Sequence, residues 1–289
     1  MGEMNVDGLY ELVRSASPAT GADSPPVLHQ VAPGIRVLAL RSPTLPPAAH
    51  TNVYLVGPDA GPWAVVDPGS PYPDQEAFLN KAIGNRGVSV VLLTHHHGDH
   101  IGGALALAKQ FGAPIAAHAN TAARLAKFGI TQLLADGERV AGMTCVFTPG
   151  HADGHLCFEL PGHIIAGDMV AGVGTILIDP SEGDMALYLR SLETLLARPQ
   201  HTLLPAHGPA IPDGHAKLRE YIAHRLMREA KVAAALVGEL SVGELVASAY
   251  SDTPRAIWPI AERSLLSHLA KLAGDGRARE VAPGRWSPS

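Results

Sequence analysis

Thr94-His95-His96-His97-Gly98-Asp99-His100 puts four histidines and an aspartate into seven residues, directly after the apolar run Ser89-Val90-Val91-Leu92-Leu93. A single histidine is more often a hydrogen-bonded surface or core residue than a ligand. Five clustered coordinating side chains ask for a cation. The run before them reads as a strand over Val88 to Leu93 that ends at Thr94. Alternation along that strand sends His95 and His97 to one side and His96 to the other. Gly98 permits a tight bend, after which Asp99 and His100 face back toward the same space, and Ile101-Gly102-Gly103 opens a helix. The spacing H-x-H-x-D-H thus suits two adjacent cations, one for each half.

Two cations need about seven or eight protein contacts plus water, more than this stretch supplies. Three later residues stand in loops beside apolar runs: His151 in "TPGHADGH", Asp168 in "IIAGDMV" and His207 in "LLPAHGP". Each has a structural reading of its own, since an Asp after a strand often forms a turn and a His beside Pro-Gly can cap a loop. As an ordered set of ligand-bearing loops at successive strand ends, they favour a metal centre.

The rest of the chain limits what that centre serves. With 289 residues and 46% hydrophobic content, it can bury a sizeable core and hold one large domain plus a small one. A net charge of −5 gives no general attraction to nucleic acid or membranes. Cys145 and Cys157 are too few for a disulfide framework and read as buried thiols. No long apolar run suggests a membrane span, the first 26 residues lack the pattern of a signal peptide, and the cytoplasm is the expected address. Pro18 to Pro26 reads as loosely ordered.

Short β-rich runs cover Gly34–Leu40, Thr51–Val56, Trp63–Val66, Val88–Leu93, Met143–Phe147, Leu156–Leu160 and His163–Ala166. Helical patterns lie at Gln75–Ile83, Gly102–Phe111, Asn120–Phe128 and Met185–Ala197. This mixture predicts an α/β fold of sheets covered by helices. The texture changes near Ile211-Pro212: a long amphipathic stretch spans His215–Val237, with helices at Val242–Tyr250 and Ile260–Leu272 and a turn at Ala282-Pro283-Gly284. Two domains are expected, 1–211 catalytic and 212–289 C-terminal.

The set "THHHGDHIGG", "TPGHADGH", "AGDM" and "PAHGP", with "TNVYLV" and "AVVDPGS" upstream, resembles the metallo-β-lactamase-fold hydrolase superfamily over roughly Thr51 to Ile211. The resemblance implies an αββα sandwich with metals at one edge. It assigns His95, His97 and His151 to one zinc, Asp99, His100 and His207 to the other, and Asp168 to a bridge between them. Asp67 then organises the ligands from behind, and Asp99 also moves a proton to the leaving group. Two zinc ions are the expected cofactor, with manganese or iron tolerated by the same nitrogen and oxygen donors. A pair of such ions can share a water and present hydroxide to an electrophile, which is hydrolysis. No nicotinamide or nucleotide cofactor is expected. His96 and His163 are expected not to be ligands, and His155 is expected behind the ligands or in the pocket, donating to a substrate oxygen.

The stretches "YIAHRLMREAKVAAAL", "SVGELVASAY" and "ERSLLSHLAKLAGDGRARE" resemble the winged-helix-like C-terminal domain of the β-lactamase-like-protein-2 subgroup. That subgroup implies either single-stranded RNA cleavage, as in an animal member, or thioester hydrolysis, as in fungal relatives. Charge separates the two readings. Before Pro212 there are 11 Lys and Arg against 18 Asp and Glu, and from it onward 11 against 9. No basic track with interleaved aromatics appears, although Arg225, Arg228 and Lys231 can form a basic patch on one helix face. A small acyl substrate (thioester, ester or lactone) is therefore expected ahead of RNA, with β-lactam hydrolysis third. No membrane partner is expected; a homodimer is compatible.

Overall fold

The computed structural model describes residues 25–289, so the expectation for Pro18–Pro26 lies almost entirely outside the described residues. Strand β5 (Val88–Leu92) is central. It pairs in parallel with β4 (Trp63–Val66) and with β6 (Ile115–His118). A strand enclosed on both faces needs apolar side chains on both. Val90 and Leu92 accordingly join the core between the sheets, while Val88, Val91 and Leu93 join the core under the outer helices.

Around it the first sheet runs β1 (Leu28–Ala32), β2 (Ile35–Arg41), β3 (His50–Val56), β4, β5, β6 and β7 (Gln132–Leu134). The second sheet runs β12 (Thr202–Pro205), β11 (His163–Gly167), β10 (Leu156–Leu160), β9 (Met143–Phe147) and β8 (Arg139–Val140), antiparallel except for the parallel pair β11 and β12. Tyr54, Val66 and Leu92 from the first sheet meet Cys145, Phe158 and Ile165 from the second. Helices α1 (Pro73–Ile83) and α3 (Ala104–Phe111) cover the first sheet through Leu79, Ile83 and Leu107. On the outer face of the second sheet, α5 (Met185–Leu196) packs through Tyr188, Leu192 and Leu195. The result is the expected αββα sandwich.

Between these helices lie α2 (Gly98–Ile101) and α4 (Ala119–Arg124). The helix expected over Asn120–Phe128 stops at Arg124, where Leu125 leaves helical geometry. Strands β1, β6, β7, β8 and β12 were not read from the sequence. They have two to five residues, and sheet pairing rather than local preference makes them strands.

Past the second sheet, α6 (Gly214–Ala235) is shared between two cores. Its Leu218 and Tyr221 pack with α5, whereas Val232 and Ala235 pack with α7 (Val242–Ala249) and α8 (Trp258–Gly274). Strands β13 (Leu240–Ser241), β14 (Ala278–Ala282) and β15 (Arg285–Pro288) form a small sheet, order β13-β15-β14. This is a winged helix, and the expected turn at Ala282-Pro283-Gly284 is the tip of its hairpin, with Gly284 at φ +69°. Among the described residues no helix is long and apolar enough to cross a membrane.

Candidate metal centre

Every side chain singled out as a candidate ligand lies just beyond the C-terminal end of a strand, along one edge of the sandwich: His95 to His100 after β5, His151 after β9, Asp168 after β11 and His207 after β12. Parallel pairing of β4 with β5 and of β11 with β12 brings these ends to one place.

Asp67, after β4, organises the approach. It is buried and takes a left-handed backbone conformation, φ +49°. Such strain in a non-glycine residue persists only where the surroundings hold it. Here the carboxylate accepts from Thr94 N at 2.8 Å, Thr94 Oγ1 at 2.6 Å and His100 Nδ1 at 2.8 Å. Two residues on, Gly69 lies so close to the β5 loop that a Cβ there would sit 1.7 Å from Asp99 O. Gly98, expected to supply the bend, does not need its glycine: its φ is not positive, and a Cβ there meets nothing within 4 Å. The turn is made by α2, whose first turn bonds His100 N to His97 O.

In one half of the centre, His95 Nε2 is 2.8 Å from His97 Nδ1, and His151 Nε2 is 3.0 Å from the same atom. Three imidazole nitrogens converging on one point fit an ion with nitrogen arms of about 2.0–2.1 Å. The other half gathers Asp99, His100 and His207, with His207 Nε2 3.5 Å from Asp99 Oδ2. Asp168 lies between. Its Oδ1 is 3.5 Å from His100 Nε2 and 3.4 Å from His207 Nε2, and its Oδ2 is 3.5 Å from His151 Nε2. Both His100 Nε2 and Asp168 Oδ1 are buried without a hydrogen-bond partner among the described residues. Buried polar atoms left so are costly, and a cation satisfies both.

Each histidine is also held by its second nitrogen, which fixes ring orientation. His95 Nδ1 meets Thr94 Oγ1 at 2.9 Å, His97 Nε2 meets Glu182 Oε1 at 2.6 Å, and His151 Nδ1 donates to Leu177 O at 2.9 Å. His100 uses Asp67, and His207 Nδ1 donates to His50 O at 2.9 Å.

The charges agree with this donor set. Burial, then the neighbouring His100, His97 and His151, push His95 well below the usual histidine range; burial and His97 push His151 down to about 4. Both are thus neutral, the form that binds metal. At Asp168 burial acts in the opposite direction, yet the His207 and His100 rings hold the carboxyl well below its usual range. Burial likewise opposes protonation of His100, but Asp168, Asp67 and Asp99 raise it well above its usual value. The pocket draws positive charge to the place where three carboxylates face it.

His96 Nε2 bonds Glu182 Oε2 at 2.7 Å, and His96, His97 and Glu182 bring donor atoms within 4.8 Å of one another as a further group beside the three converging nitrogens. His163 stands at the opposite end of β11 from Asp168, with Nδ1 on Pro161 O. Of the two places expected for His155, behind the ligands or in the pocket, the first is where it lies. It is fully buried, its Nδ1 meets Thr148 Oγ1 at 2.8 Å, and its Nε2 accepts from Asp168 N at 3.1 Å. Both nitrogens are committed, so the ring orients the Asp168 backbone and has none free to offer substrate.

Arg225, Arg228 and Lys231 do not form an open basic patch. Arg225 is 2% exposed and donates to Ile176 O, while Arg228 and Lys231 both bond Asp252 at 2.7 Å. Glu182 was missed in the sequence, where "PSEGD" reads as an ordinary turn. Beyond His96 and Glu182 opens a cleft of about 620 Å³ lined by His96, Asn120, Ala123, Arg124 and Asp153.

Comparison with known proteins agrees with the fold. Residues 46–207 match the Metallo-beta-lactamase superfamily, and residues 241–286 match the Beta-lactamase associated winged helix domain. The chain is 32% identical to the lactamase-like protein notP of Aspergillus sp. (strain MF297-2), covering 90% of this chain and 87% of that one. It is 28% identical to the beta-lactamase-like protein 2 homolog of Drosophila melanogaster, over 88% and 92%. With the atrochrysone carboxyl ACP thioesterase of Aspergillus chevalieri it shares 33% identity, over 82% and 80%. Among solved structures, a metallo-beta-lactamase family protein from Thermus thermophilus superposes with a TM-score of 0.73 at 25% identity, covering 90% of this chain and all of that one. A strand-edge cluster of this composition, joined to a winged helix and matched along nearly the whole chain, makes this protein a hydrolase of the metallo-beta-lactamase superfamily.

Proposed function

We propose that the chain is a dinuclear zinc hydrolase of small acyl substrates, a thioester, ester or lactone. The observation that carries the reading is the divided carboxylate of Asp168, one oxygen toward His100 and His207 and the other toward His151. In this assignment His95, His97 and His151 hold one ion, Asp99, His100 and His207 the other, and Asp168 bridges. Nitrogen-rich donors favour zinc, with manganese or iron as substitutes. Bound there, the ions supply Lewis acidity and a water acidic enough to attack near neutral pH.

The chain's own groups do the rest. Asp67, Thr94, Glu182 and the carbonyls of His50 and Leu177 hold the rings in place. Asp99 is partly exposed at the mouth of the centre. Burial opposes its ionisation, but His100 and His207 lower its proton affinity. Its carboxylate takes the proton released as water adds to the acyl carbon and passes it to the departing sulfur or oxygen. The catalytic unit is taken as 1–211 and the winged-helix unit as 212–289. The free, buried thiols Cys145 and Cys157 support a reducing compartment such as the cytoplasm.

The acyl reading is supported by the relative named as a thioesterase and by the neutralisation of the basic side chains that RNA would need. RNA cleavage is the second reading, on the likeness to the beta-lactamase-like protein 2 homolog, and β-lactam hydrolysis the third. The test is a panel of acyl thioesters, lactones, single-stranded RNA and a β-lactam, run on zinc-loaded and chelated protein. Turnover of an acyl substrate that chelation abolishes is expected; RNA cleavage alone, lost in Asp168→Ala, would reverse the ranking.

A further inference from the structure

The segment 175–184, between β11 and α5, serves the metal centre on one side and the C-terminal domain on the other. Toward the centre, Leu177 O fixes the outer nitrogen of His151 and Glu182 fixes that of His97. Toward the C-terminal domain, Arg263 on α8 makes a two-pronged bond to Asp179, Nε to Oδ2 at 2.9 Å and Nη2 to Oδ1 at 2.6 Å. Ser267, one turn further along α8, donates to Ile178 O, and Arg225 on α6 donates to Ile176 O. Asp179 is 4% exposed. It also closes the turn that carries Glu182, accepting from Ser181 N at 2.9 Å and Ser181 Oγ at 2.6 Å, while its carbonyl accepts from Gly183 N at 2.7 Å.

Backbone carbonyls 176 and 178 therefore point to the C-terminal domain and carbonyl 177 to His151. The C-terminal domain grips the segment on each side of the residue that orients a ligand. We propose that the winged-helix domain is a positioning element of the metal centre: Arg263, through Asp179 and the turn to Glu182, and Ser267, through Ile178, hold His97 and His151 in the geometry that binds the first ion. A planar guanidinium suits this role, because a two-pronged carboxylate bond fixes direction as well as distance. The other ion is outside the segment's reach, since His100 is held by Asp67 and His207 by His50 O. The domain thus acts on one site of two.

The proposal rests on the dinuclear reading, and one experiment separates them: zinc binding measured by competition with a chromophoric chelator, with thermal melts on the same samples. Wild type is expected to bind two zinc ions. Arg263→Ala and Asp179→Asn should weaken one ion by about 10-fold, the lower end for loss of a ligand's outer partner, and leave the other unchanged. Arg263→Lys should recover part of the loss. Glu182→Gln should weaken the same ion, and Arg285→Ala, which breaks an exposed C-terminal ion pair to Glu239, should weaken neither. Folded Arg263→Ala and Asp179→Asn with wild-type affinity at both sites would overturn the proposal alone, as would equal weakening at both. If Arg263→Ala does not fold, Ser267→Ala and Asp179→Asn decide by the same criterion. Wild type that binds no zinc overturns the metal reading itself.

Discussion

Asp168 has no substitute in the centre, because among the described residues no other side chain faces both donor groups through separate oxygens. Asp168→Ala is expected to lower bound metal and to reduce turnover by at least about 100-fold, the upper end of what loss of an outer partner alone costs; elemental analysis beside a rate assay checks it. Behind it, His155 acts through the Asp168 backbone. His155→Ala should leave a buried N–H unsatisfied, costing about 1–3 kcal/mol, and should lower metal affinity as well as melting temperature. A variant that keeps full metal content and loses only rate would restore the substrate-facing role. By contrast, His163 stands at the far end of β11 from the converging nitrogens, and His163→Ala should retain the metal content of wild type in the same analysis. His96 shares Glu182 with His97, so His96→Ala should keep metal stoichiometry while shifting affinity little.

At the scale of elements, the centre depends on where strands stop. Strand β5 ends at Leu92, two residues before the expected end at Thr94, because Thr94 N bonds the Asp67 side chain instead of a neighbouring strand. Helix α8 holds another consequence of packing. It buries His268 completely, with neither ring nitrogen bonded among the described residues. Burial first, then the charges of Arg225, His224, Lys271 and Arg228, push it down to about 3. A folded value below the unfolded one, about 6.5, means the unfolded chain takes up the proton first. Stability is therefore fully present above about pH 6.5 and is lost as pH falls toward 3. At pH 5 the loss from this group is about 2 kcal/mol. Denaturant unfolding of wild type and His268→Leu at pH 7.5 and 5 should show a smaller drop for the variant; parallel drops would exclude His268 as the cause.

Across the whole molecule, the charge distribution argues for a small substrate. The residues before Pro212 carry an excess of acid, and four of the C-terminal cations are taken by internal partners: Arg225 by a carbonyl, Arg228 and Lys231 by Asp252, Arg263 by Asp179. A nucleic acid gains affinity by releasing counterions to free Lys and Arg, and that gain weakens steeply with salt. Thioester or lactone turnover should accordingly change less than about twofold between 50 and 150 mM salt. Any RNA cleavage should fall by a much larger factor over the same range. Asp252→Ala, which releases Arg228 and Lys231, should strengthen RNA binding without altering acyl turnover.

The sequence by itself determined the candidate donor types, their order and their places just past strand ends, because H-x-H-x-D-H after an apolar run carries its geometry in residue spacing alone. Residue patterns, among them runs such as Trp63–Val66, whose residues are all buried, gave sheets covered by helices; the sandwich and the winged helix followed from the resemblance of the motifs to a known family. Beyond Asp67, only the tertiary structure decided which groups stand behind the candidate ligands. Glu182, Leu177 O and His50 O are 85, 26 and 157 residues from the rings they hold, and backbone carbonyls leave no trace in residue type. The role of Gly69 and the burial of His155 and Arg225 were hidden for the same reason: each follows from two distant segments packed in contact. Spacing along the chain encodes what one strand and its loop present, whereas the partners that fix those groups come from the packing of whole elements.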